Sequence, residues 1–355
     1  MKRFFFSAIT LMLAAASCTE SGIIDEPHFY GGAIIFDTYI GKTPVTKAVN
    51  WGANQLKGTT NGGVQMYAFL VDKVSSPTIA DVDFDSAHLN GRLTYSTNAW
   101  KYQEIISGSW TDVDAFWPNT CDLAFAGYSL NVASDTYISN VSADKTLFDF
   151  TVNDNVASQV DLLVTPLQIK KETPNADTEV TLNFQHVLSR VGFKVLPTNA
   201  TATRITIHSV KLCGTFPKKG LVDLKRANAK ITPYTENNAQ YATSYSLLTE
   251  DFSLTGSDCE DENDNIIAMP IDPGSENRYM MIMPGKQSNA FIEVEYTLGT
   301  ETQKRYSKLP LDADWEFKAG YAYEFVFRIA TAAIEFEAEI VEGGWDEQEP
   351  VEKPL

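Results

Sequence analysis

Residues 180–195 read VTLNFQHVLSRVGFKV. Val180, Leu182 and Phe184 share one parity, and Val191, Phe193 and Val195 share the other. A β-strand sends successive side chains to opposite faces, so each triplet marks a strand with one apolar face. One unbroken strand cannot hold both, because the apolar phase slips between Phe184 and Val191. The slip predicts a bulge or short turn over 186–190, with His186 at a kink near the core as a buried, hydrogen-bonded histidine.

The period of two extends both ways. Upstream, 33–40 (AIIFDTYI), 64–71 (VQMYAFLV), 123–130, 147–152 and 160–164 read as strands, and 178–184 opens the quoted segment. Downstream come 205–212, 279–283 and 291–298. Tyr321, Tyr323, Phe325, Phe327 and Ile329 then alternate with Ala322, Glu324, Val326 and Arg328. Ile334, Phe336, Ala338 and Ile340 alternate with Glu335, Glu337 and Glu339, a glutamate row that discourages edge-to-edge pairing. Short strands punctuated by Gly, Pro, Asn and Asp indicate an all-β sandwich architecture, and no sustained 3.6-residue stripe predicts a long helix. The 355 residues suggest about two domains. The polar stretch KKETPN (170–175) is the expected boundary, giving a domain over 33–172, another over 173–345, and an acidic tail over 346–355.

Composition narrows the function. Lys and Arg number 28 against 46 Asp and Glu, a formal charge of −18. A surface so acidic excludes nucleic acid as a partner and electrostatic docking to anionic lipid. With 44% hydrophobic and 12% aromatic residues, the chain can build real cores. Four cysteines exclude a disulfide-dense scaffold.

The first residues, MKRFFFSAITLMLAAASC, form a signal peptide: basic Lys2 and Arg3, an apolar run from Phe4 to Ala14, then Ala15, Ala16 and Ser17 before Cys18. Small residues followed by Cys resemble the lipobox of bacterial lipoproteins, with Ala15 where Leu is usual. That makes 1–17 the signal, Cys18 the lipidation site, and 18–32 a flexible tether. Loss of Lys2 and Arg3 takes the charge from −18 to −20, so acyl chains rather than charge would hold the protein on the membrane. No later segment reaches 18 apolar residues. Cys121, Cys213 and Cys259 remain, an odd number that cannot all pair internally; they lack a CxxC and read as buried free thiols.

Motifs for catalysis are missing. There is no phosphate loop, HExxH, GxSxG or EF-hand loop, and His28, His88, His186 and His208 are scattered. No cofactor or resident metal is expected. Asp81, Asp83 and Asp85 would share a strand face with oxygen ligands suited to Ca²⁺, but they read better as a solvated face. Asp258, Glu260, Asp261, Glu262 and Asp264 read as a solvated acidic block. Trp100, Trp110 and Trp117 are candidate ligand-contact aromatics for a sugar, against the plainer reading of them as packing residues.

Taken together and in order, these segments resemble the fimbrillin family, the subunits of type V pili and their lipoprotein relatives. The resemblance runs through the lipobox, Ile34-Ile35-Phe36, Thr46-Lys47-Ala48, GVQMYAF (63–69), Trp100, Phe116-Trp117-Pro118, DLLV (161–164), LNFQHVLSRVGF (182–193), GYAYEF (320–325) and IEFEAEI (334–340) before Trp345. It implies two transthyretin-like, Greek-key β-sandwich domains in tandem. It also implies export as a lipoprotein, cleavage after a basic residue near the first strand, and assembly when a strand from the next subunit fills the vacated groove. The family usually has Arg at that cleavage position, and here the candidates are Lys47 and Lys42. The implied partners are other fimbrial subunits by β-strand exchange and, before processing, the outer membrane through the lipid anchor. A second reading keeps the protein as a cell-surface lipoprotein that binds glycan or host protein without polymerising. Both readings exclude an enzyme.

Overall fold

Strands carry the chain wherever it is described. The computed structural model describes residues 32–40, Leu56, 63–130, 135–172, 177–197, 203–261 apart from Ala227, Ala229, Asn237, Asn238 and Thr249, 266–271, 279–329 apart from Ser288 and Asp314, 334–336 and 343–344. In chain order the first strands are β1 (Ile34–Ile40), β2 (Val64–Asp72), β3 (Val82–Ser96), β4 (Ala99–Ile106), β5 (Ser109–Asp112) and β6 (Cys121–Leu130). Short β7 (Ile138–Ser139) and β8 (Leu147–Thr151) precede β9 (Leu162–Lys170), β10 (Thr178–His186) and β11 (Ser189–Pro197). Next are β12 (Ile205–Pro217), β13 (Lys219–Asp223), β14 (Ile231–Pro233), β15 (Tyr241–Ser246), β16 (Phe252–Leu254), β17 (Met269–Pro270) and β18 (Tyr279–Ile282). The last are β19 (Gly285–Lys286), β20 (Phe291–Leu298), β21 (Arg305–Pro310), β22 (Glu316–Phe317), β23 (Tyr321–Ile329), β24 (Ile334–Phe336) and β25 (Gly343–Gly344).

The largest sheet has the order β1-β10-β9-β6-β2-β3-β4-β5. Its neighbours are antiparallel except β1 and β10, which run parallel. Its middle strands are apolar on both faces. Val64, Met66, Ala68, Leu123 and Phe125 face one core with Val180, Leu182 and Phe184; Tyr67, Phe69, Ala124, Ala126 and Tyr128 face the other. Alternation within β2 and β6 thus serves two cores, and all ten residues of β6 are buried. Strands covered on both sides read as continuous apolar runs, which is what CDLAFAGYSL is.

The second core lies beneath two further sheets. One runs β17-β11-β23-β24, with β18 on β11 and β25 on β23; the other runs β15-β12-β20-β21, with β16 on β12. Phe193 stacks between the neighbouring rings of Phe325 and Phe327, with centroids 5.8 and 5.6 Å away. On the opposite side of β23, Glu324 pairs with Lys194 and accepts from Tyr279. Neither face of β23 is therefore wet, and its alternation sorts aromatics from paired charge.

The phase slip is where expected. β10 ends at His186, Val187 and Leu188 belong to neither strand, and β11 starts at Ser189 in a different sheet. His186 is buried and hydrogen-bonded to Asp161, as its position at the kink predicted. The strand pairings do not divide at 172 and 173. β10 stays in the large sheet, while β7 and β8 join β13 and β14 in a four-stranded sheet spanning residues 138–233. The pairing partners on either side of the polar stretch are set by distant residues. Cys213 and Cys259 are buried free thiols, each pushed up to about 11 by burial. Cys121 is buried too, with its sulfur 3.7 Å from Thr120 Oγ1.

Candidate functional site

β1 closes one margin of the large sheet. It lies parallel to β10 in the register Ile34↔Thr178 to Ile40↔Phe184, far from its partner in sequence. Its alternation is that of an edge strand with one wet face: Ile34, Phe36 and Thr38 are buried, while Ile35, 51% exposed, and Asp37 point out. Phe36 packs its ring 6.1 Å from both Tyr102 and Phe125. The apolar trough beneath also contains Val180, Leu182, Phe184, Leu56 and Leu163. Burying Ile34 and Phe36 contributes roughly 1.5–3 kcal/mol each.

The first residues of the strand are pinned. Ile34 N–H donates to Ala115 O at 2.9 Å, Trp117 N–H to Gly32 O at 3.2 Å, Thr178 N–H to Ala33 O at 3.1 Å, and Gly32 N–H to Glu172 Oε1 at 2.9 Å. The bridge between Ala33 and Phe116 joins the start of β1 to the segment after β5, so the sheet curls back on itself around the trough. Beyond Ile34, the described pairing of β1 is to β10 alone. Cys18, Lys42 and Lys47 lie outside the described residues, as do the acidic tail and Trp345.

The structure separates the three tryptophans. Trp117 is fully enclosed with its ring edge-on to Phe125, and Trp100 is buried against Tyr95. Both pack the core around the trough rather than meeting a ligand. Trp110, on the marginal strand β5, is 37% exposed.

The acidic clusters are mostly turn chemistry. Asp81 is not on the strand: it closes a 3-10 turn, accepting from Thr78 N–H at 2.7 Å and Thr78 Oγ1 at 2.9 Å. Those two bonds hold its carboxyl below the usual carboxylate range. Asp258 does the same for Thr255, at 2.6 and 2.7 Å. Both are reciprocal caps, and the spacing T-x-x-D in TIAD (78–81) and TGSD (255–258) was the signal for them. Asp83 and Asp85 do lie on β3, where Asp83 accepts from the Asp85 N–H. Glu262 and Asp264 lie outside the described residues. Among the described residues no three His, Cys, Asp or Glu side chains are placed to hold a metal.

The described histidines have structural partners. His88 Nε2 lies 3.3 Å from Phe116 O, and His186 Nδ1 2.7 Å from Asp161 Oδ2. Asp251, His208 and Thr297 form a hydrogen-bonded row at 2.9 and 3.1 Å, the form of a proton relay. The hydroxyl at its end belongs to a buried residue of β20, so the row ties a bulge of β12 to its neighbours.

Similar folds are found among solved structures. A fimbrial protein from Bacteroides vulgatus superposes with a TM-score of 0.57 at 17% identity, covering 88% of this chain and 99% of its own. Putative cell adhesion proteins from Bacteroides uniformis and Bacteroides ovatus follow, each with a TM-score of 0.48, at 12% and 14% identity; they cover 89% and 88% of this chain and 97% and 96% of their own. The first of these shows a shared fold. No curated protein matches the chain. The sequence model described as fimbrillin-like matches residues 53–342, and the chain, all-β throughout its described length, belongs to the fimbrillin-like family.

Proposed function

We propose that the chain is a structural and adhesive subunit of a cell-surface fimbria, without catalytic activity. It is exported as a lipoprotein acylated at Cys18, cut after Lys42 or Lys47, and assembled by strand addition into the trough that β1 occupies. On this reading, transthyretin-like sandwiches pack on the two faces of the large sheet, whose strands β2 and β6 contribute to both cores.

The observation that carries the reading is the state of β1. It is a marginal strand with an alternating buried row, pinned at its start and paired on one side beyond it. The candidate lysines follow it directly in sequence. Cutting there frees the strand from the rest of the chain. Its departure would leave the β10 backbone edge and an apolar trough open together, and an incoming strand satisfies both needs at once.

The test is cleavage of the exported chain with a lysine-specific protease. A trimmed chain beginning after Lys42 or Lys47 that forms SDS-resistant multimers is the expected result. If the trimmed protein stays monomeric at every concentration, assembly by this route is excluded.

A further inference from the structure

The face of the large sheet at β3, β4 and β5 carries a second feature. β4 and β5 form a hairpin with a two-residue loop, Ser107 and Gly108, both at positive φ (52° and 82°), the turn that matches strand twist. In the register Arg92↔Gln103↔Asp112, three polar side chains stand in one row across the strands. Arg92 Nε donates to Gln103 Oε1 at 2.8 Å, and Gln103 Nε2 donates to Asp112 Oδ1 at 2.6 Å. One rung away, Ile105 faces Trp110 across the strands. The Arg92 guanidinium sits over the indole at 4.3 Å from the ring centre and fixes its plane.

We propose that this face, centred on Trp110, binds a pyranose unit of an uncharged glycan. A pyranose presents one C–H-rich face and a rim of hydroxyls that both donate and accept. The indole face away from the guanidinium, bordered by Ile105, is the plate for the first. The Gln103 amide and Asp112 carboxylate beside it supply donors and acceptors for the second, held in place by their own bonds. Arg92 and Asp112 offset each other, so the row suits a neutral polyol. The −18 charge of the whole chain works against sialylated or sulfated glycans. Large rigid aromatics with adaptable polar neighbours are the composition of recognition surfaces. The site names a ligand for the adhesive role proposed above and is independent of strand exchange, because none of its residues belongs to β1 or β10.

The exported full-length chain is applied to an array of glucose-, galactose- and mannose-terminated oligosaccharides with sialylated counterparts. Binding to at least one uncharged oligosaccharide is expected, weakened at least about tenfold in Trp110→Ala. Gln103→Ala is expected to weaken it too, with the melting temperature unchanged. No binding to uncharged oligosaccharides, binding to sialylated ones alone, or binding indifferent to Trp110→Ala overturns the site. Multimer formation after lysine-specific cleavage is scored on the same preparations. Loss of glycan binding with assembly intact removes this site alone, and failed assembly with glycan binding intact removes only the fibre.

Discussion

His186 Nδ1 lies 2.7 Å from Asp161 Oδ2, and both side chains are almost fully enclosed, 3% and 2% exposed. The pair sits where the chain leaves β10 for β11, so it ties the approach to β9 to the last residue of the large sheet. Removing one member of a buried pair strands the other, at a cost of about 3–5 kcal/mol. His186→Ala and Asp161→Ala are each expected to destabilise by that order in chemical denaturation. The double variant should cost clearly less than their sum. Additive losses would show that the two act independently.

Acid should weaken the link between residues 138–151 and 219–233. Burial alone would raise the Asp149 carboxyl, but bonds from Tyr234 at 2.6 Å, Lys219 at 2.9 Å and Asn140 at 2.6 Å outweigh it and bring it below 3.8. A carboxyl lowered in the folded state stabilises at pH above its unfolded value and loses that contribution as pH falls through the folded one. Stability should therefore fall more steeply below about pH 4 in the native chain than in Asp149→Asn. Parallel pH curves for the two would remove Asp149 as the cause.

Phe36→Ala should loosen β1 before anything else. It removes the ring between Tyr102 and Phe125, at about 3–5 kcal/mol if the trough stays unfilled. Faster hydrogen exchange across 34–40 and along β10, with the β11–β23 amides unchanged, is the expected signature. Uniform exchange through the whole molecule would mean that β1 is not a separable margin.

Gly127 has no room for a methyl. A Cβ there would lie 2.4 Å from the Gln65 carbonyl oxygen on β2, and backbone cannot step aside as a side chain can. Gly127→Ala should cost roughly 1–3 kcal/mol, seen as a lowered denaturation midpoint. A variant as stable as the parent would mean that β2 and β6 can part locally.

Cys18 is expected to take up labelled palmitate in cells and to lose it in Cys18→Ser, together with membrane retention. A Cys18 sulfur recovered from surface material in a disulfide overturns the anchor.

Much of this was written in alternation. β1, β10, β11 and β23 were each legible from residues of one parity, β2 and β6 from short apolar runs, and the slip between Phe184 and Val191 located the change of sheet. Parity tells which residues share a face, but not which strand lies beside it. That is why β10 staying with β9, and β8 pairing β13, escaped a reading that split the chain at a polar stretch. The plainer reading of the tryptophans as packing residues holds for Trp100 and Trp117, while Trp110 sits in SWTD, whose four residues are all exposed on a margin. The Thr three residues before Asp81 and Asp258 was the signal for both caps, and reading them as a strand face and an acidic block passed over it.

β6 belongs to two cores at once, with Leu123 and Phe125 in one and Ala124, Ala126 and Tyr128 in the other. A party wall of this kind cannot be given up by one room and kept by the other. Under tension the molecule should therefore have two strengths. β1 can be pulled away by breaking its ladder to β10 and the few bonds at its start, while the body can yield only by opening both rooms together. Stretching a single molecule should record a low force step for the margin and one tall event for the rest, so that a fibre under shear would fail at its joints and leave its bricks whole.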